Sequence, residues 1–207
     1  MVSSVRSLKK FVYLISPNQI YSNFYKDLEK VLSSKKVSFF QLRLKKKPKN
    51  LIIKIAKKIK KITKKYKVKF IINDDSKLAR EVIADGCHIG QLDNTVSSAR
   101  KNIKKKIIGV TCHNSRELAL KASKDKADYL AFGSFFKSRL KPGAKKADLR
   151  ILLWAKKKIK KPIVVIGGIN DKNYKKLIKA GANYIAISTF IWNNPFLKPE
   201  VAIKKFK

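Results

Sequence analysis

Short apolar segments rich in β-branched or aromatic residues recur along the chain, and each ends in a few polar or glycine residues. A stretch in which apolar residues recur at helical spacing follows each segment, so strands and helices alternate. Such alternation is typical of a parallel sheet whose connections are helices. The pattern predicts eight strands, at residues 11–15, 37–41, 68–72, 86–88, 107–110, 129–132, 163–166 and 184–187.

The number of strand and helix units distinguishes two parallel folds. An open sheet of the flavodoxin type needs fewer units, whereas eight units close into a barrel. The length of 207 residues lies near the low end of the range for such barrels, roughly 200 to 400 residues. We therefore predict an α/β fold, a TIM (β/α)8 barrel, with residues 1–207 forming a single domain.

Lysine occupies the polar positions of several predicted helices. Between residues 51 and 62, isoleucine, leucine and alanine recur at helical spacing with lysines between them, and residues 154–161 and 172–179 show the same pattern. Asn114 and the pair Asn170-Asp171 are candidate caps for helices that follow them. The lysine-rich stretches are therefore interpreted as amphipathic helices with a solvated face.

The charge balance is strongly basic. Lysine and arginine number 51 against 13 acidic residues, a formal net charge of +38. Such a surface attracts polyanions in general, including phosphorylated small molecules, nucleic acid and anionic lipid. Because the lysines fall on helix faces without interleaved aromatic residues, we expect no specific nucleic-acid binding. A basic nucleic-acid-binding barrel protein nevertheless stays open as an alternative of another class.

Cysteine use and hydropathy indicate the compartment. Cys87 and Cys112 lie at the ends of different predicted strands without metal-type spacing, so we expect buried, reduced thiols. No stretch approaches the ~18 apolar residues of a membrane span, and residues 1–10 lack the apolar core of a secretory signal. These features predict a cytoplasmic protein without a membrane partner, and they leave homo-oligomerisation open.

Polar side chains follow the second predicted strand at alternate positions. Gln41, Arg43 and Lys45 share one side of the strand with Val37 and Phe39 by the two-residue period. Leu42 and Leu44 then face the helices. The three polar side chains are predicted to project over the barrel mouth, where an arginine fork and a lysine charge suit a diphosphate.

Carboxylates follow the third and fourth strands, which are neighbours in a barrel. Asp74 lies in Asn73-Asp74-Asp75, and Asp93 follows Gly90. Mg²⁺ binds hard oxygen ligands and often takes only one or two carboxylates, with phosphate oxygens and water completing its shell. Asp74 and Asp93 are therefore candidate Mg²⁺ ligands, although Asp75 and Asp93 also suit helix N-caps.

The remaining strand ends carry hydroxyl, imidazole and glycine. His88 at the fourth strand is a candidate contact for a substrate heterocycle, and Thr111 and His113 stand in the predicted fifth loop. The basic stretch 137–143 is a candidate flap over bound phosphate. Many barrels bind a phosphate after strands seven and eight. The matching positions here are Gly167, Gly168, Ile187 and Ser188.

Five motifs follow one another in a fixed order. They are Gln41-Leu42-Arg43 with Lys45, Ile72-Asn73-Asp74-Asp75, the run from Ala84 to Gln91 with Asp93, Gly109-Val110-Thr111 with His113, and Ile166-Gly167-Gly168-Ile169. In this order they resemble the motifs of the thiamine phosphate synthase family, from about Tyr13 to Ser188. The resemblance implies a TIM barrel that joins 4-amino-2-methyl-5-hydroxymethylpyrimidine diphosphate to 4-methyl-5-(2-hydroxyethyl)thiazole phosphate by a dissociative mechanism and releases pyrophosphate.

The resemblance also implies a role for each site residue. Gln41, Asn73 and His88 would contact the aminopyrimidine, and Asp74 and Asp93 would bind Mg²⁺. The catalytic residues at the diphosphate would be Arg43, Lys45, Thr111 and Lys141. The thiazole phosphate would be held by Ser138, Gly167, Gly168, Ile187 and Ser188.

Two positions depart from the family pattern. Thr111 stands where the family usually has serine, and Leu140 replaces a hydroxyl residue in the loop after strand six. The alternative enzyme is the related TenI-type thiazole tautomerase, which shares the barrel and a histidine at the His113 position. That branch generally lacks the metal carboxylates, so Asp74 and Asp93 favour the synthase.

Overall fold

Eight parallel strands close into one barrel in the computed structural model, which describes residues 10–136 and 146–207. Neighbours in sequence are neighbours in the sheet, and β8 pairs with β1 to complete the ring. The predicted TIM barrel is confirmed. The strands are β1 Val12–Ile15, β2 Val37–Leu42, β3 Lys69–Asn73, β4 Gly86–Ile89, β5 Ile107–His113, β6 Tyr129–Gly133, β7 Ile163–Ile166 and β8 Tyr184–Ile187.

Helices follow the strands and surround the barrel, with short helical segments after β8. They are α1 Phe24–Ser33, α2 Lys49–Lys65, α3 Ser76–Glu81, α4 Val96–Ile103, α5 Arg116–Lys124, α6 Leu149–Lys158, α7 Tyr174–Lys179, α8 Thr189–Trp192, α9 Pro199–Ala202 and the 3₁₀ helix Ile203–Lys205. In the described ranges, no helix is long and apolar enough to span a bilayer.

The lysine-rich pattern of α2 has the predicted consequence. Ile55, Ala56 and Ile59 are buried against the barrel, whereas Lys54 and Lys57 on the other face are exposed. The helix runs from Lys49 to Lys65, so it includes the apolar pattern of residues 51–62 and the lysines on either side, which are good helix formers. The apolar positions thus dock the helix, and the lysines provide a solvated face.

Helix α6 differs from the predicted 154–161. It begins earlier, at Leu149, since Asp148 accepts a hydrogen bond from the amide of Arg150 at 2.8 Å. It ends at Lys158, before Pro162, and Ile159 is already extended. A proline disfavours helix in the residue before it, which accounts for the early end.

Two predicted caps are displaced. Ser115, not Asn114, caps α5 by accepting from the amide of Leu118, and Asn114 accepts from the amide of Asp148. Helix α7 begins at Tyr174, not at residue 172. Asn170 accepts from the amide of Asn173, so it closes the turn before the helix and does not cap the helix itself.

A bulge in β2 changes the predicted direction of the Val37 side chain. Val12 pairs with Val37 and Tyr13 with Phe39, so Ser38 is an extra residue. Because a bulge reverses the alternation, Val37 packs in the outer core and does not share the inner side with Phe39.

The second bulge lies where the fifth loop is predicted. Strand β5 continues to His113, and Thr111 pairs with Ala131 while His113 pairs with Phe132, so Cys112 is skipped. Thr111 therefore belongs to the barrel wall. Cys112 is buried, as is Cys87, and burial raises the pKa of both thiols to about 12. Both are free cysteines, as predicted.

Acidic and amide side chains hold the N-terminal ends of the strands together. Asp85 accepts from the amide of Phe70, and Asp128 accepts from the amide of Ile108, both at 2.8 Å. Asp128 is also paired with Arg100 at 2.8 Å. Each acceptor precedes one strand and bonds the preceding strand, which satisfies backbone groups that the parallel ladder leaves without a partner.

The barrel interior contains a polar chain within an apolar layer. The Tyr13 and Tyr129 hydroxyls lie 2.7 Å apart, and the Tyr129 oxygen lies 2.9 Å from Nδ1 of His88. Nε2 of His88 lies 2.8 Å from the hydroxyl of Thr111. Both ring nitrogens are therefore occupied. Burial lowers the pKa of His88 to about 4, so the imidazole is neutral at physiological pH.

Removal of the Asp128 carboxylate tests the role of these acceptors. We expect Asp128→Ala to lower the free energy of unfolding by about 2 kcal/mol, because the amide of Ile108 loses its acceptor. Asp125→Ala, an exposed position in the same loop, should change it by less than about 0.5 kcal/mol. Urea unfolding monitored by circular dichroism measures both, and equal effects would contradict the assignment.

Neutral His88 predicts a specific pH dependence of stability. The folded-state pKa of about 4 lies below the ordinary 6.5, so between these values only the unfolded chain takes up the proton. Stability is therefore unaffected above pH 6.5 and falls as pH drops toward 4. From this group we expect a loss of about 2 kcal/mol between pH 7 and pH 5.

Urea unfolding of the parent and of His88→Gln at both pH values isolates that contribution. Other titrating groups cancel in the difference, so the variant should lose about 2 kcal/mol less than the parent. The same pH dependence in both proteins would show that His88 titrates normally in the fold.

Candidate active site

The C-terminal end of β2 supplies an amide and two cations. The Gln41 side chain is buried and lines a narrow cavity of about 30 Å³ at the top of the barrel interior. Its side-chain amide lines that cavity and makes no hydrogen bond to another described residue. Arg43 is partly exposed and Lys45 exposed beyond it. Leu42 and Leu44 pack in the outer core, as predicted.

The carboxylate of Asp74 is positioned by the backbone at the end of β3. Its amide donates to the carbonyl of His88 at 2.7 Å, and its φ of 65° places the residue in the left-handed region. Asp93 comes from the next loop, where its Oδ2 accepts from the amide of Gly90 at 2.6 Å. The two neighbouring loops thus direct carboxylates to one place.

The carboxylates of Asp74 and Asp93 lie close enough to raise the pKa of Asp74. Partial burial and the adjacent Asp93 carboxylate raise the pKa of Asp74 to about 6, and the positive charges of Lys45 and Arg43 oppose that rise. Two carboxylates in contact repel each other unless a proton or a cation lies between them. Among the described residues, neither carboxylate forms an ion pair with a lysine or arginine.

The donor set suits a hard cation. Within residues 10–136 and 146–207, no group of three or more histidine, cysteine or acidic side chains gathers at one point. Mg²⁺ commonly takes one or two carboxylates and completes its shell with substrate oxygens and water. The pair of Asp74 and Asp93 fits this pattern.

Capping explains Asp75 but not Asp93. Oδ1 of Asp75 accepts from the amide of Leu78 at 2.8 Å and caps α3. Helix α4 is capped by Thr95. Asp93 is therefore free of a structural role at a helix terminus, whereas Asp75 has one.

His88 and Thr111 form part of the cavity wall beneath the mouth. Because both nitrogens of His88 are bonded inside the wall, only its ring edge and face can touch a ligand. Asn73 lies at the end of β3 and pairs with His88 in the ladder. The side-chain amide of Asn73 makes no hydrogen bond to another described residue. His113 is exposed at the end of β5.

The loop after β7 brings main-chain groups to the same rim. Gly167 has a φ of 106°, and a Cβ there would collide with Ser134, so the position requires glycine. Gly168 follows with a φ of 59°. The Gly168 carbonyl accepts a hydrogen bond from the side-chain amide of Asn173 at 3.0 Å, which holds the loop in place.

The end of β8 completes this side of the mouth. The Ile187 side chain is buried in the outer core, so only its main chain is available to a ligand. The hydroxyl of Ser188 donates to the carbonyl of Ser16 at 3.0 Å. Two further predicted site residues, Ser138 and Lys141, lie outside the described residues, as does the whole of the predicted flap at 137–143.

A larger cavity of about 460 Å³ lies beside α1 and residues 194–199. None of the predicted site residues lines it. Its carboxylate, Asp27, already accepts from the Tyr21 hydroxyl at 2.9 Å. The narrower mouth of the barrel, where amides, carboxylates and cations converge, is therefore the candidate active site.

Three contributors to the mouth were not predicted from the sequence. Tyr129 bonds His88, Gln91 donates from its side chain to the carbonyl of Thr111, and Ser16 bonds Arg43. Tyr129 and Ser16 each bond a residue at least 27 positions away, so no local spacing reveals them. Ser16 does follow a strand end, as the predicted residues do, and that position is the signal that could have identified it.

Comparison with known proteins agrees with the geometry. The family model described as thiamine monophosphate synthase matches residues 12–191. A thiamine-phosphate synthase of Pelagibacter ubique (strain HTCC1062) is 58% identical over 200 residues, covering 96% of this chain and 97% of the relative. One of Erythrobacter litoralis (strain HTCC2594) is 38% identical over 187 residues, covering 88% of each.

A solved structure is similar as well. The thiamine phosphate pyrophosphorylase from Pyrococcus furiosus superposes with a TM-score of 0.85 at 28% identity, covering 96% of this chain and 94% of that one. The residues that the family model matches include both carboxylate loops and the loops after β7 and β8. The chain belongs to the thiamine monophosphate synthase family.

Proposed function

We propose that this chain, a transferase of that family, joins 4-amino-2-methyl-5-hydroxymethylpyrimidine diphosphate to 4-methyl-5-(2-hydroxyethyl)thiazole phosphate. The products are thiamine phosphate and pyrophosphate. The observation that carries the proposal is the pair of carboxylates, Asp74 and Asp93, with the charges of Arg43 and Lys45 acting on Asp74. A diphosphate with a divalent cation is the ligand whose charges complement this set.

The aminopyrimidine would lie at the barrel mouth, over the narrow cavity that Gln41 and His88 line. The side-chain amide of Gln41 lines this cavity and makes no hydrogen bond to another described residue, so it is a candidate contact for the ligand. An aminopyrimidine offers both donors and acceptors along its edge. Asn73, at the end of the neighbouring strand, provides a second side-chain amide without a described partner, and the His88 ring provides a flat contact surface.

Asp74 and Asp93 would bind Mg²⁺, and their oxygen donors and mutual repulsion fit that ion. When bound, the ion would offset negative charge on the diphosphate and on the departing pyrophosphate. Magnesium dependence is part of the proposal. Arg43 and Lys45, with Lys141 and Thr111 assigned by family resemblance, would bind the same oxygens from other sides.

The proposed reaction breaks the bond between the pyrimidine methylene and the diphosphate oxygen, and the oxygen keeps the electron pair. The resulting pyrimidine cation is stabilised by its amino group, and the thiazole nitrogen then donates its lone pair to the methylene carbon. Arg43 and Lys45 stabilise the charge that grows on pyrophosphate, so the step is electrostatic catalysis. No proton has to be removed by a general base.

A neutral pocket floor suits this cation. Burial keeps His88 uncharged, with both nitrogens engaged by Tyr129 and Thr111. A protonated imidazole at this position would repel a positive pyrimidine ring through a medium of low dielectric constant. The proposal therefore assigns His88 a shape-defining, uncharged role.

The thiazole phosphate is placed at the loops after β7 and β8. Gly167, Gly168 and the main chain of Ile187 present backbone groups there, and Ser188 adds a hydroxyl. Ser138 is assigned to this phosphate by resemblance. Because Leu140 removes one family hydroxyl, we expect weaker or rearranged contacts, in which Arg139 acts as a substitute donor.

A cytoplasmic location and the lack of specific nucleic-acid binding stay predictions, and homo-oligomerisation stays open. The tautomerase alternative is less well supported than the synthase, because both carboxylates are present and converge at the mouth.

Pyrophosphate release tests the proposed function. The purified protein should release pyrophosphate only when both phosphorylated substrates and Mg²⁺ are present, and chelator should abolish the release. A coupled pyrophosphatase assay, with each component omitted in turn, measures this. No release under any condition would reject the synthase, and thiazole tautomerisation would then be assayed in the same samples.

Carboxylate variants test the metal site. Asp74→Asn and Asp93→Asn should each lower kcat by about 100-fold or more, because an amide ligates Mg²⁺ less strongly than a carboxylate. Both should also weaken binding of Mn²⁺, followed by the electron paramagnetic resonance signal of the free ion. This second readout does not depend on turnover.

Asp75→Asn is the matched control. It removes one negative charge beside Asp74, and asparagine still caps α3 because its side-chain oxygen accepts as well as that of aspartate. Its Mn²⁺ affinity and kcat should stay within about threefold of the parent. A loss equal to that of Asp74→Asn would show that local charge, and not ligation, is what matters.

A further inference from the structure

Ser16 lies directly after β1 and is buried, with 2% of its surface exposed. It contacts residues on both sides of the mouth without being one of the proposed substrate ligands. We propose that Ser16 is a positioning residue whose hydroxyl holds Arg43 in place for the diphosphate. The inference rests on the proposed function, since it assigns Ser16 a part in the same site.

The hydroxyl of Ser16 engages Arg43 twice. Its oxygen accepts from the amide of Arg43 at 3.0 Å, and it donates to the Arg43 carbonyl at 3.4 Å. Strand β2 ends at Leu42, so Arg43 lies beyond the regular ladder. The single hydroxyl thus replaces the backbone partners that an additional strand residue would provide.

The guanidinium itself is weakly held. Within the described residues, its hydrogen bond is to Oδ1 of the exposed Asn18, at 3.4 Å. A flexible side chain with one long contact depends on its backbone for direction. Fixing the amide and carbonyl of Arg43 therefore limits where the guanidinium can reach over the mouth.

The chemistry of the position favours a hydroxyl residue. Serine has one donor and two acceptor sites, so it can satisfy an amide and a carbonyl together, which alanine cannot do. Pro17 follows, and a residue before proline is restricted to extended conformations. This restriction keeps the Ser16 side chain directed at the end of β2.

The main chain of Ser16 makes hydrogen bonds to residues other than Arg43. Its amide donates to the carbonyl of Gln41 at 2.9 Å, and its carbonyl accepts from the hydroxyl of Ser188 at 3.0 Å. A change of side chain leaves these bonds intact. The hydroxyl therefore acts on the diphosphate side, while the thiazole phosphate side depends on the backbone.

This division predicts a selective kinetic defect. Ser16→Ala should raise the KM for the pyrimidine diphosphate about tenfold and change the KM for the thiazole phosphate less than twofold. Ser16→Thr, which keeps the hydroxyl, should restore the first KM to within about threefold of the parent. Steady-state kinetics with each substrate varied at saturating concentration of the other measure these constants.

Ser38→Ala is the matched control. Ser38 lies in β2, near its opposite end, and its hydroxyl also bonds a carbonyl, that of Lys10, at 2.8 Å. Its removal should leave both KM values unchanged. Equal rises of both KM values in Ser16→Ala, or failure of Ser16→Thr to restore the first, would overturn the proposal in favour of a general structural role.

A double-mutant cycle tests whether the effect passes through Arg43. In the Arg43→Ala background, Ser16→Ala should add less than a twofold further rise in KM for the pyrimidine diphosphate. A full additional tenfold rise would show that Ser16 acts on another group and would overturn the assignment.

Binding separates this inference from the proposed function. Isothermal titration of magnesium pyrophosphate into the parent and into Ser16→Ala needs no turnover, and the variant should bind about tenfold more weakly. If the parent fails to release pyrophosphate from the two substrates, the proposed function fails while this titration still decides the role of Ser16. Equal affinities would reject that role.

Discussion

Closure of eight parallel strands is the constraint on which the rest of this structure depends. Because all strands run the same way around one ring, every strand ends at the same rim, and groups far apart in sequence come within reach of each other. Gln41 and Ser188 reach one mouth in this way. The opposite rim collects residues that secure the strands, such as Asp128 with the amide of Ile108.

Four of the 13 acidic residues lie in two pairs, one pair at each of these rims. At the N-terminal rim, Asp85 and Asp128 are each paired with a cation and a backbone amide, so their charges are satisfied within the protein. At the C-terminal rim, Asp74 and Asp93 face each other, and partial burial together with the Asp93 carboxylate raises the pKa of Asp74. Satisfied charges stabilise the fold, whereas unsatisfied charges invite a ligand.

Beneath the carboxylates, burial keeps the wall of the barrel uncharged. The chain from Tyr13 through Tyr129 and His88 to Thr111 satisfies its polar groups internally. The barrel wall around His88 is uncharged, and the cations Arg43 and Lys45 lie at the mouth. Positive charge therefore increases along the barrel axis toward the mouth. This arrangement suits a substrate that has a flat, uncharged heterocycle at one end and a diphosphate at the other.

The sequence by itself determined the fold class, the strand order and the identity of most polar groups at the mouth. Periodicity and strand-end composition are local signals, and a parallel barrel converts strand ends into one site by topology alone. The tertiary structure decided the rest. The bulge at Ser38 turns Val37 outward, and β5 continues beyond residue 110 to His113, so that Thr111 belongs to the strand. The partners of His88 and Arg43 come from distant strands, and burial sets the charge of His88, so these depend on packing that no local pattern encodes.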